Sequence, residues 1–160
     1  HWEVKRVKDI AFLNLKTLPE NTPADYSFKY IDIGSVNQNG IKEEPVLTSF
    51  EEAPSRARRI VLQNDVIIST VRTYLKAIAF FNYIPKDYIV STGFAVLSPK
   101  RNIYPQYLAY HSQTDMFIDI VFINSTGVSY PAINAQLLSD FIVLINLVFR
   151  FTNKGASPFT

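Results

Sequence analysis

The chain has 160 residues, of which 48% are hydrophobic and 19% are charged, which predicts one folded domain with a buried core. It contains no cysteine, which excludes disulfides and thiolate metal sites and is typical of a cytoplasmic protein. Its formal net charge of +2 is too small to indicate nucleic-acid binding by itself. The longest apolar run near the end, residues 141–149, is interrupted by Asn146 and is too short to span a membrane.

The first third of the chain predicts loops and a β-hairpin. Residues 2–18 mix charged and apolar side chains at a spacing that fits one short helix, without a continuous apolar stripe. Residues 28–36 favour a strand, and Asn39-Gly40 predicts a tight turn because both residues tolerate a positive φ. Residues 41–47 would then return as the second arm of the hairpin.

The central third contains three apolar runs, residues 66–71, 77–84 and 88–97, which are rich in the Ile, Val, Phe and Tyr that favour a β-sheet. A segment this apolar should be buried, yet polar clusters that include Arg72 and Lys76 stand at its turns. Because binding residues usually lie on loops held by a rigid scaffold, we expect a partner to meet these turns.

The last third predicts helices. Pro105 is suited to the first position of a helix over residues 106–113. Residues 115–123 predict a second helix. Its apolar face is expected to comprise Met116, Ile120 and Ile123, with Phe117 and Val121 adjoining.

The end of the chain predicts a short helix, a strand and a tail. Asn134 can cap a helix over residues 135–140, and residues 141–145 favour a strand. Residues 146–160 carry no periodic apolar face, so we expect an irregular, poorly ordered tail after a single domain over residues 1–145. The expected fold class is α+β, with a twisted, largely antiparallel sheet and a few short helices on one side.

The sequence shows none of the common motifs that mark a catalytic or metal site. His111 lies in a predicted helix among apolar neighbours, without cysteine or clustered acids that would complete a metal site. There is no Gly-rich phosphate loop and no G-x-S-x-G motif. These patterns argue against an enzyme and indicate no cofactor. A small hydrolase remains an alternative that a pocket holding His111 beside a carboxylate would favour.

Residues 55–59, Ser-Arg-Ala-Arg-Arg, carry the densest positive charge in the chain. A loop with this composition fits two functions. Its arginines could clamp phosphate groups, because the planar guanidinium offers paired donors to phosphate oxygens. It could also be a solubilising loop that balances the glutamates at positions 43, 44, 51 and 52.

Six segments, taken in order, resemble one known family. They are YIDIGSV (30–36), APSRARR (53–59), NDVIISTVR (64–72), YIVSTGFAVLSP (88–99), YPQYLAYHSQ (104–113) and STGVSYPAINAQLLSDFIVLI (125–145). Their order and spacing resemble the target-recognition domain of the specificity subunit of type I restriction–modification enzymes. The resemblance covers most of the chain, from about residue 30 to residue 145.

The resemblance implies a function in DNA recognition without catalysis. Members of the family carry two such domains, each followed by a long spacer helix, and each domain reads one half of a split duplex target. Methylation and cleavage belong to separate DNA methyltransferase and restriction subunits, which use S-adenosylmethionine and ATP. This chain holds one recognition domain, and residues 146–155 differ from the proline-rich turn and helix usual there. Because the spacer helix would provide much of the contact with the methylating subunit, we expect the different residues here to weaken that assembly.

If the chain binds duplex DNA, its candidate contacts fall into three groups. Cationic side chains supply affinity at phosphates, and polar side chains supply preference at base edges. The phosphate candidates are Arg56, Arg58, Arg59, Lys100 and Arg101. The first base-reading group is Arg72, whose fork matches the two major-groove acceptors of guanine, with Thr73, Tyr74 and Lys76. The second base-reading group is Ser125, Thr126, Ser129 and Tyr130.

Alternatives stay open for the site and for the function. Arg72 could instead pair with an acid such as Asp65, and Tyr130 before Pro131 could simply pack. The chain could also be a truncated orphan domain that acts as a protein-interaction or structural module without useful DNA binding. One coherent positive face would favour DNA, and scattered charges would favour the orphan domain.

Overall fold

A computed structural model describes residues 2–146 of the chain. The strands there are β1 (Trp2–Arg6), β2 (Ala11–Leu13), β3 (Ser27–Ile31), β4 (Val36–Asn37), β5 (Gly40–Ile41), β6 (Leu47–Ser49), β7 (Ala57–Ile60), β8 (Val66–Ser69), β9 (Ile78–Phe80), β10 (Tyr88–Ser91), β11 (Phe94–Pro99) and β12 (Ile142–Asn146). The helices are α1 (Val7–Ile10), α2 (Pro105–Ser112), α3 (Asp115–Ile123) and α4 (Ala135–Leu138). This content confirms the α+β class.

The strands form several sheets where the sequence suggested one. The first sheet has the order β2-β11-β8-β9 and is antiparallel throughout. The second sheet has the order β6-β3-β10-β7, in which β10 pairs with β3 in parallel and the other pairs are antiparallel. Two smaller sheets complete the described fold, the β1-β12 ribbon and the β4-β5 hairpin.

The apolar run over residues 88–97 divides into two strands that belong to different sheets. The division falls at Thr92-Gly93, between β10 of the second sheet and β11 of the first. Gly93 permits a close approach there, because a Cβ at this position would overlap Cδ1 of Ile33. The absence of a side chain at Gly93 therefore leaves room for the Ile33 side chain beside this turn.

The first sheet is buried on both faces, which explains its nearly continuous apolar sequence. Alternate residues of a strand point to opposite faces. Val66 and Leu97 pack with α1, α2 and α3 in one core cluster. Ile67 and Val96 pack with the second sheet in another cluster. The helices therefore cover one face of the first sheet, and the second sheet covers the other.

The predicted helices lie where the sequence placed them. Helix α2 begins at Pro105, and α3 has the predicted bounds, with the Thr114 side chain accepting a hydrogen bond from the Phe117 amide at 3.3 Å. Helix α4 is shorter than predicted, and Asn134 caps it by accepting a bond from the Gln136 amide at 2.8 Å. Strand β12 confirms the predicted final strand within one residue.

The predicted apolar face of α3 is right for Phe117, Ile120 and Val121 and wrong for the other two residues. Met116 and Ile123 are exposed at 52% and 77%, whereas the buried side chains are Phe117, Ile118 and Val121. The helix is apolar at seven of its nine positions, so its own spacing does not select one face. Packing against the first sheet makes that selection.

Three local predictions also differ from the structure. The helix suggested for residues 2–18 shrinks to α1, between β1 and β2. The second hairpin arm ends after Ile41, and β6 pairs instead with β3. The turn centre lies one residue earlier than Asn39-Gly40, because Asn37 pairs with Gly40 and only Gly40 has the positive φ, at 100°.

The predicted tail, residues 146–160, lies outside the described residues apart from the backbone of Asn146, which ends β12. Among residues 2–146, no helix combines the length and hydropathy that crossing a bilayer requires.

Candidate nucleic-acid interface

A strained turn follows β8. Residues Thr73–Leu75 form one turn of 3₁₀ helix, flanked by Arg72 and Lys76 in the left-handed region at φ 49° and 52°. The left-handed conformation costs a residue other than glycine about 1 kcal/mol or more. The Ser69 hydroxyl helps to hold the turn by donating a 2.6 Å hydrogen bond to the Val71 carbonyl. Strain of this kind persists where the surrounding structure imposes it.

The two base-reading groups proposed from the sequence lie side by side. The Arg72 amide donates a 2.7 Å hydrogen bond to the Pro131 carbonyl, and Val71 forms a β-bridge with Ala132. We call the two segments together the paired-turn surface; it comprises residues 70–76 and 125–132. Segments about fifty residues apart in the chain thus form one surface at the end of β8.

The second segment closes into a compact loop. Thr126 and Ala132 exchange two backbone hydrogen bonds, at 2.8 and 2.9 Å. Gly127 permits the tight turn, with φ 102° and with the position of a Cβ only 3.1 Å from the Tyr130 carbonyl oxygen. This closure sets the path of the chain that carries Tyr130.

Arg72 and Tyr130 contact each other. The guanidinium carbon of Arg72 lies 4.4 Å from the centroid of the Tyr130 ring, within cation–π range. No residue of the described chain accepts a hydrogen bond from this guanidinium or forms an ion pair with it. The alternative pairing with Asp65 does not occur: Asp65 is buried beyond the other end of β8, where it accepts a 2.7 Å bond from the Leu62 amide. Tyr130 remains 63% exposed and is not a packed core residue.

Two members of the predicted groups support the surface from beneath. Thr73 is only 2% exposed, and its hydroxyl lies 3.3 Å from that of Ser125. The Ser125 hydroxyl donates a 2.8 Å bond to the Val121 carbonyl in α3. The burial of Thr73 does not fit a direct contact with a base, because its hydroxyl faces the protein.

The remaining members lie at the surface. The Tyr74 ring meets Phe122 of α3 edge to face, with centroids 6.2 Å apart. Lys76 forms an ion pair with Asp115, which lowers the pKa of that carboxyl. Thr126 makes a long 3.5 Å hydrogen bond to the carbonyl of Ala132 within its own loop. Ser129 is exposed.

Exposed apolar side chains lie within and beside the paired-turn surface, and the sequence did not single them out. Leu75 is exposed beside Tyr74, Val128 is completely exposed in the loop, and Phe122 is half-exposed on α3. An apolar residue inside a polar loop, such as Val128, is the signal that could have marked them.

The arginines of residues 55–59 do not form one clamp, because two of them lie in a strand instead of the predicted loop. Neighbouring residues of β7 point to opposite sides. Arg58 lies over the Phe50 ring at 4.4 Å and donates a 2.9 Å bond to the Ala57 carbonyl. Arg59 is half-buried, its Nη1 lacks an acceptor within the described part of the chain, and burial lowers its pKa. Arg59 is therefore poorly placed to meet a phosphate.

Arg56 is exposed but paired. Its guanidinium donates to the Tyr30 hydroxyl at 3.3 Å and to the Asp32 carboxylate at 3.1 Å, and both groups raise its pKa. Its backbone adjoins the division between the sheets, because the Arg56 carbonyl accepts a 2.8 Å bond from the Thr92 amide. The Gly93 carbonyl in turn accepts 2.8 Å bonds from both the amide and the hydroxyl of Thr70. Backbone hydrogen bonds thus connect Arg56 to the paired-turn surface.

Lys100 and Arg101 lie at the other end of the first sheet. Phe94, at the start of β11, pairs with Ser69 beside the paired-turn surface, and Lys100 follows the last residue of that strand. At about 3.4 Å per residue, β11 separates the two places by roughly 17 Å. Lys100 donates a 2.6 Å bond to the Lys8 carbonyl, whereas Arg101 is exposed. The phosphate candidates are therefore separated: Arg56, Arg58 and Arg59 lie around β7 of the second sheet, and Lys100 and Arg101 follow β11 of the first.

His111 does not form a hydrolytic site. It is buried between the rings of Tyr107 and Phe117, with centroids 6.1 and 5.3 Å away. Burial lowers its pKa, and its Nε2 has no hydrogen-bond partner among residues 2–146. In the same part of the chain, no cluster of His, Asp or Glu could hold a metal ion. His111 is therefore a packed core residue.

Comparisons with known proteins place this geometry in context. The family model described as the type I restriction modification DNA specificity domain matches residues 1–145. No curated protein matches the chain by sequence.

Solved structures match the whole described fold. A chain from a structural study of complex assembly and conformational transition in the type I R-M system has a TM-score of 0.81 and 26% identity, covering 92% of this chain and 38% of that one. The HsdS subunit from Thermoanaerobacter tengcongensis has a TM-score of 0.77 and 26% identity, covering 90% and 37%. The S subunit of a type I system from M. genitalium, at 9% identity and TM-score 0.56, shares the fold, covering 96% and 35%. The chain thus spans less than two fifths of each of these proteins.

Proposed function

Because the chain belongs to the type I restriction modification DNA specificity domain family, we propose that it recognises one half of a split duplex DNA target. The family is a DNA target-recognition module, which fits a protein that is not an enzyme. The observation that carries the proposal for this chain is the paired-turn surface. Two polar segments distant in sequence meet there around an arginine whose guanidinium has no acceptor among the described residues.

Within this proposal, the side chains have different tasks. Arg72, Tyr74, Lys76, Ser129 and Tyr130 are exposed enough to reach base edges, and Thr126 lines the same loop. Thr73 and Ser125 hold the two segments together. Arg56 and Arg58 contact phosphates from the start of β7 in the second sheet, and Lys100 and Arg101 do so after β11 in the first sheet, while Arg59 contributes least because it is half-buried. Specificity then comes from the paired-turn surface, and affinity comes from a wider set of cations.

The partners follow from the family. The chain would act in the cytoplasm, with DNA methyltransferase and restriction subunits that supply the chemistry. The matched type I R-M assembly supports partners of this general kind. Contact with the methylating subunit would depend on a spacer helix. In the family this helix follows the recognition domain, which is where residues 146–160 stand in this chain.

Binding to random duplex DNA across a salt series, measured by fluorescence anisotropy, tests the proposal. Non-specific binding should be micromolar or weaker, and its affinity should fall steeply with salt as counterions are released. An acidic polymer of equal charge density is the control. Absence of binding at low salt, both alone and with the methylating subunit, would contradict DNA recognition. Equal binding to the polymer and to every duplex selected in a later round would also contradict it.

A further inference from the structure

Arg72 differs from the other arginines in how its side chain is held. Arg56 is occupied by Asp32 and Tyr30, and Arg58 donates to its own backbone. Arg101 is exposed and lacks both a ring contact and a polar partner in the described structure. Arg72 alone among these four lies against a ring while its donors stay unused by residues 2–146. It is positioned, but its hydrogen-bonding capacity is free for a ligand.

The position of the Tyr130 ring is itself set by the backbone. Gly127 and the Thr126–Ala132 pair close the loop that carries Tyr130. The 2.7 Å bond from the Arg72 amide to Pro131 then fixes the residue next to Tyr130 against the turn of Arg72. Both partners of the contact are thus held by main-chain geometry.

We propose that Tyr130 is a positioning residue that holds Arg72 for reading a guanine from the major groove. This inference rests on the proposed function and adds the device that holds the reading side chain in place. Guanine presents O6 and N7 as two acceptors that match the arginine fork. A long side chain loses rotamer freedom when it binds, and contact with an aromatic face reduces that loss because the chain is already ordered. Tyr130 therefore contributes to discrimination through Arg72.

Selection from a randomised duplex library, followed by affinity measurements on the selected site, tests this inference with the full chain. The wild-type protein should select a site that contains one guanine whose replacement by adenine weakens binding roughly 5- to 150-fold. Arg72→Lys keeps the charge and should lose this discrimination while retaining non-specific binding, because an ammonium lacks the planar fork. Tyr130→Ala should reduce the same discrimination, and Tyr130→Phe should retain it because the ring remains.

The matched controls separate positioning from loss of folding. Tyr110→Ala removes another exposed tyrosine, on α2 and outside the paired-turn surface, and should leave discrimination unchanged. Thermal unfolding of each variant shows whether the fold persists. If Tyr130→Ala unfolds the chain, Arg72→Lys still tests the reading of guanine, and a loss of discrimination in a folded Tyr130→Phe would overturn positioning by the ring.

Replacing the selected guanine with 7-deazaguanine removes one major-groove acceptor. This change should weaken wild-type binding but have little further effect on Arg72→Lys, because both changes remove the same hydrogen bond. Equal weakening of both proteins would overturn the role of Arg72. Loss of discrimination in Tyr130→Phe equal to that in Tyr130→Ala would overturn positioning through the ring. A wild-type chain that binds no DNA would instead reject the proposed function, and this inference would fail with it.

Discussion

The two ends of the first sheet carry similar residue types but differ in construction. At one end, Arg72 and Lys76 stand in a strained turn that backbone hydrogen bonds connect to a second loop. At the other end, Lys100 and Arg101 come directly after β11, and Lys100 lies over the ring of Phe12. The first end holds an arginine fork whose donors no described residue uses, whereas the second offers two positive charges, one of them already bonded to the Lys8 carbonyl. Specificity requires the former, and phosphate binding requires only the latter.

The contrast also shows that charge clustered in sequence need not form one surface. Residues 55–59 were the densest basic stretch, yet β7 sends Arg58 and Arg59 to opposite sides. Arg72, by contrast, has no basic neighbour in sequence before Lys76. The contact with Tyr130, and not a cluster of charge in the sequence, is what distinguishes its side chain.

Breaking the closed loop should have the largest effect. Gly127→Val places a branched side chain at φ 102° and close to the Tyr130 carbonyl, so we expect a loss of about 1–3 kcal/mol in the free energy of unfolding. Base discrimination should fall with it because Tyr130 moves. Chemical denaturation and binding to the selected site measure the two effects. Gly34→Ala is the control, since no heavy atom lies within 4 Å of its Cβ position, and it should be nearly neutral. Equal effects of both changes would contradict the special role of this loop.

Removing the charges at the other end should affect all sequences alike. The double variant Lys100→Ala, Arg101→Ala should lower affinity for selected and random duplexes by the same factor. The slope of log affinity against log salt should become shallower by about 0.9 for each phosphate that the variant no longer neutralises. A salt series on both duplexes measures this. A weakening confined to the selected duplex would show that this end reads bases and that the two ends do not differ in task.

A change in pH should alter the free energy of unfolding through a buried histidine, away from both ends of the first sheet. Burial lowers the pKa of His111, so the unfolded state binds its proton more readily than the folded state. Stability is then fully present above the ordinary histidine pKa and falls as pH drops through the folded-state pKa, by at most about 1.4 kcal/mol per pH unit. His111→Phe keeps a ring between Tyr107 and Phe117 and should flatten this dependence. Denaturation of both proteins between pH 7.5 and 5.5 measures the difference, and parallel curves would be the contrary result.

The smallest effect should come from releasing Lys76. Asp115→Asn removes the carboxylate that pairs with Lys76 beside the paired-turn surface. Because the pair is exposed, folding should change little. Binding to random DNA at low salt should strengthen slightly, since one negative charge is removed and Lys76 becomes available. Asp25→Asn, which removes an exposed charge elsewhere, controls for net charge. An identical gain in both variants would indicate that only the total charge matters.

Local sequence predicted the helices and most strands because their signals are local. Pro105 and Asn134 mark helix starts whichever sheet lies nearby, and the apolar central runs favour strands wherever they pair. Met116 and Ile123 were wrongly assigned to the apolar face of α3 because a helix so rich in apolar residues depends on its neighbours to select a face. The division at Thr92-Gly93 lies in the different strands with which β10 and β11 pair, which no local pattern shows.

In the candidate site too, some features follow from local sequence and others only from tertiary packing. Residue chemistry singled out Arg72 as a base reader and proposed the loop with Tyr130 as a second group, and the six ordered segments resembled the family that the chain belongs to. Tertiary structure alone decided that these two groups adjoin, that Thr73 is buried, and that Lys100 and Arg101 lie apart from Arg72. The physical reason is that residue type and spacing determine local conformation and available chemistry. Contacts between distant segments depend instead on strand pairing and packing, which are settled only when the whole chain folds.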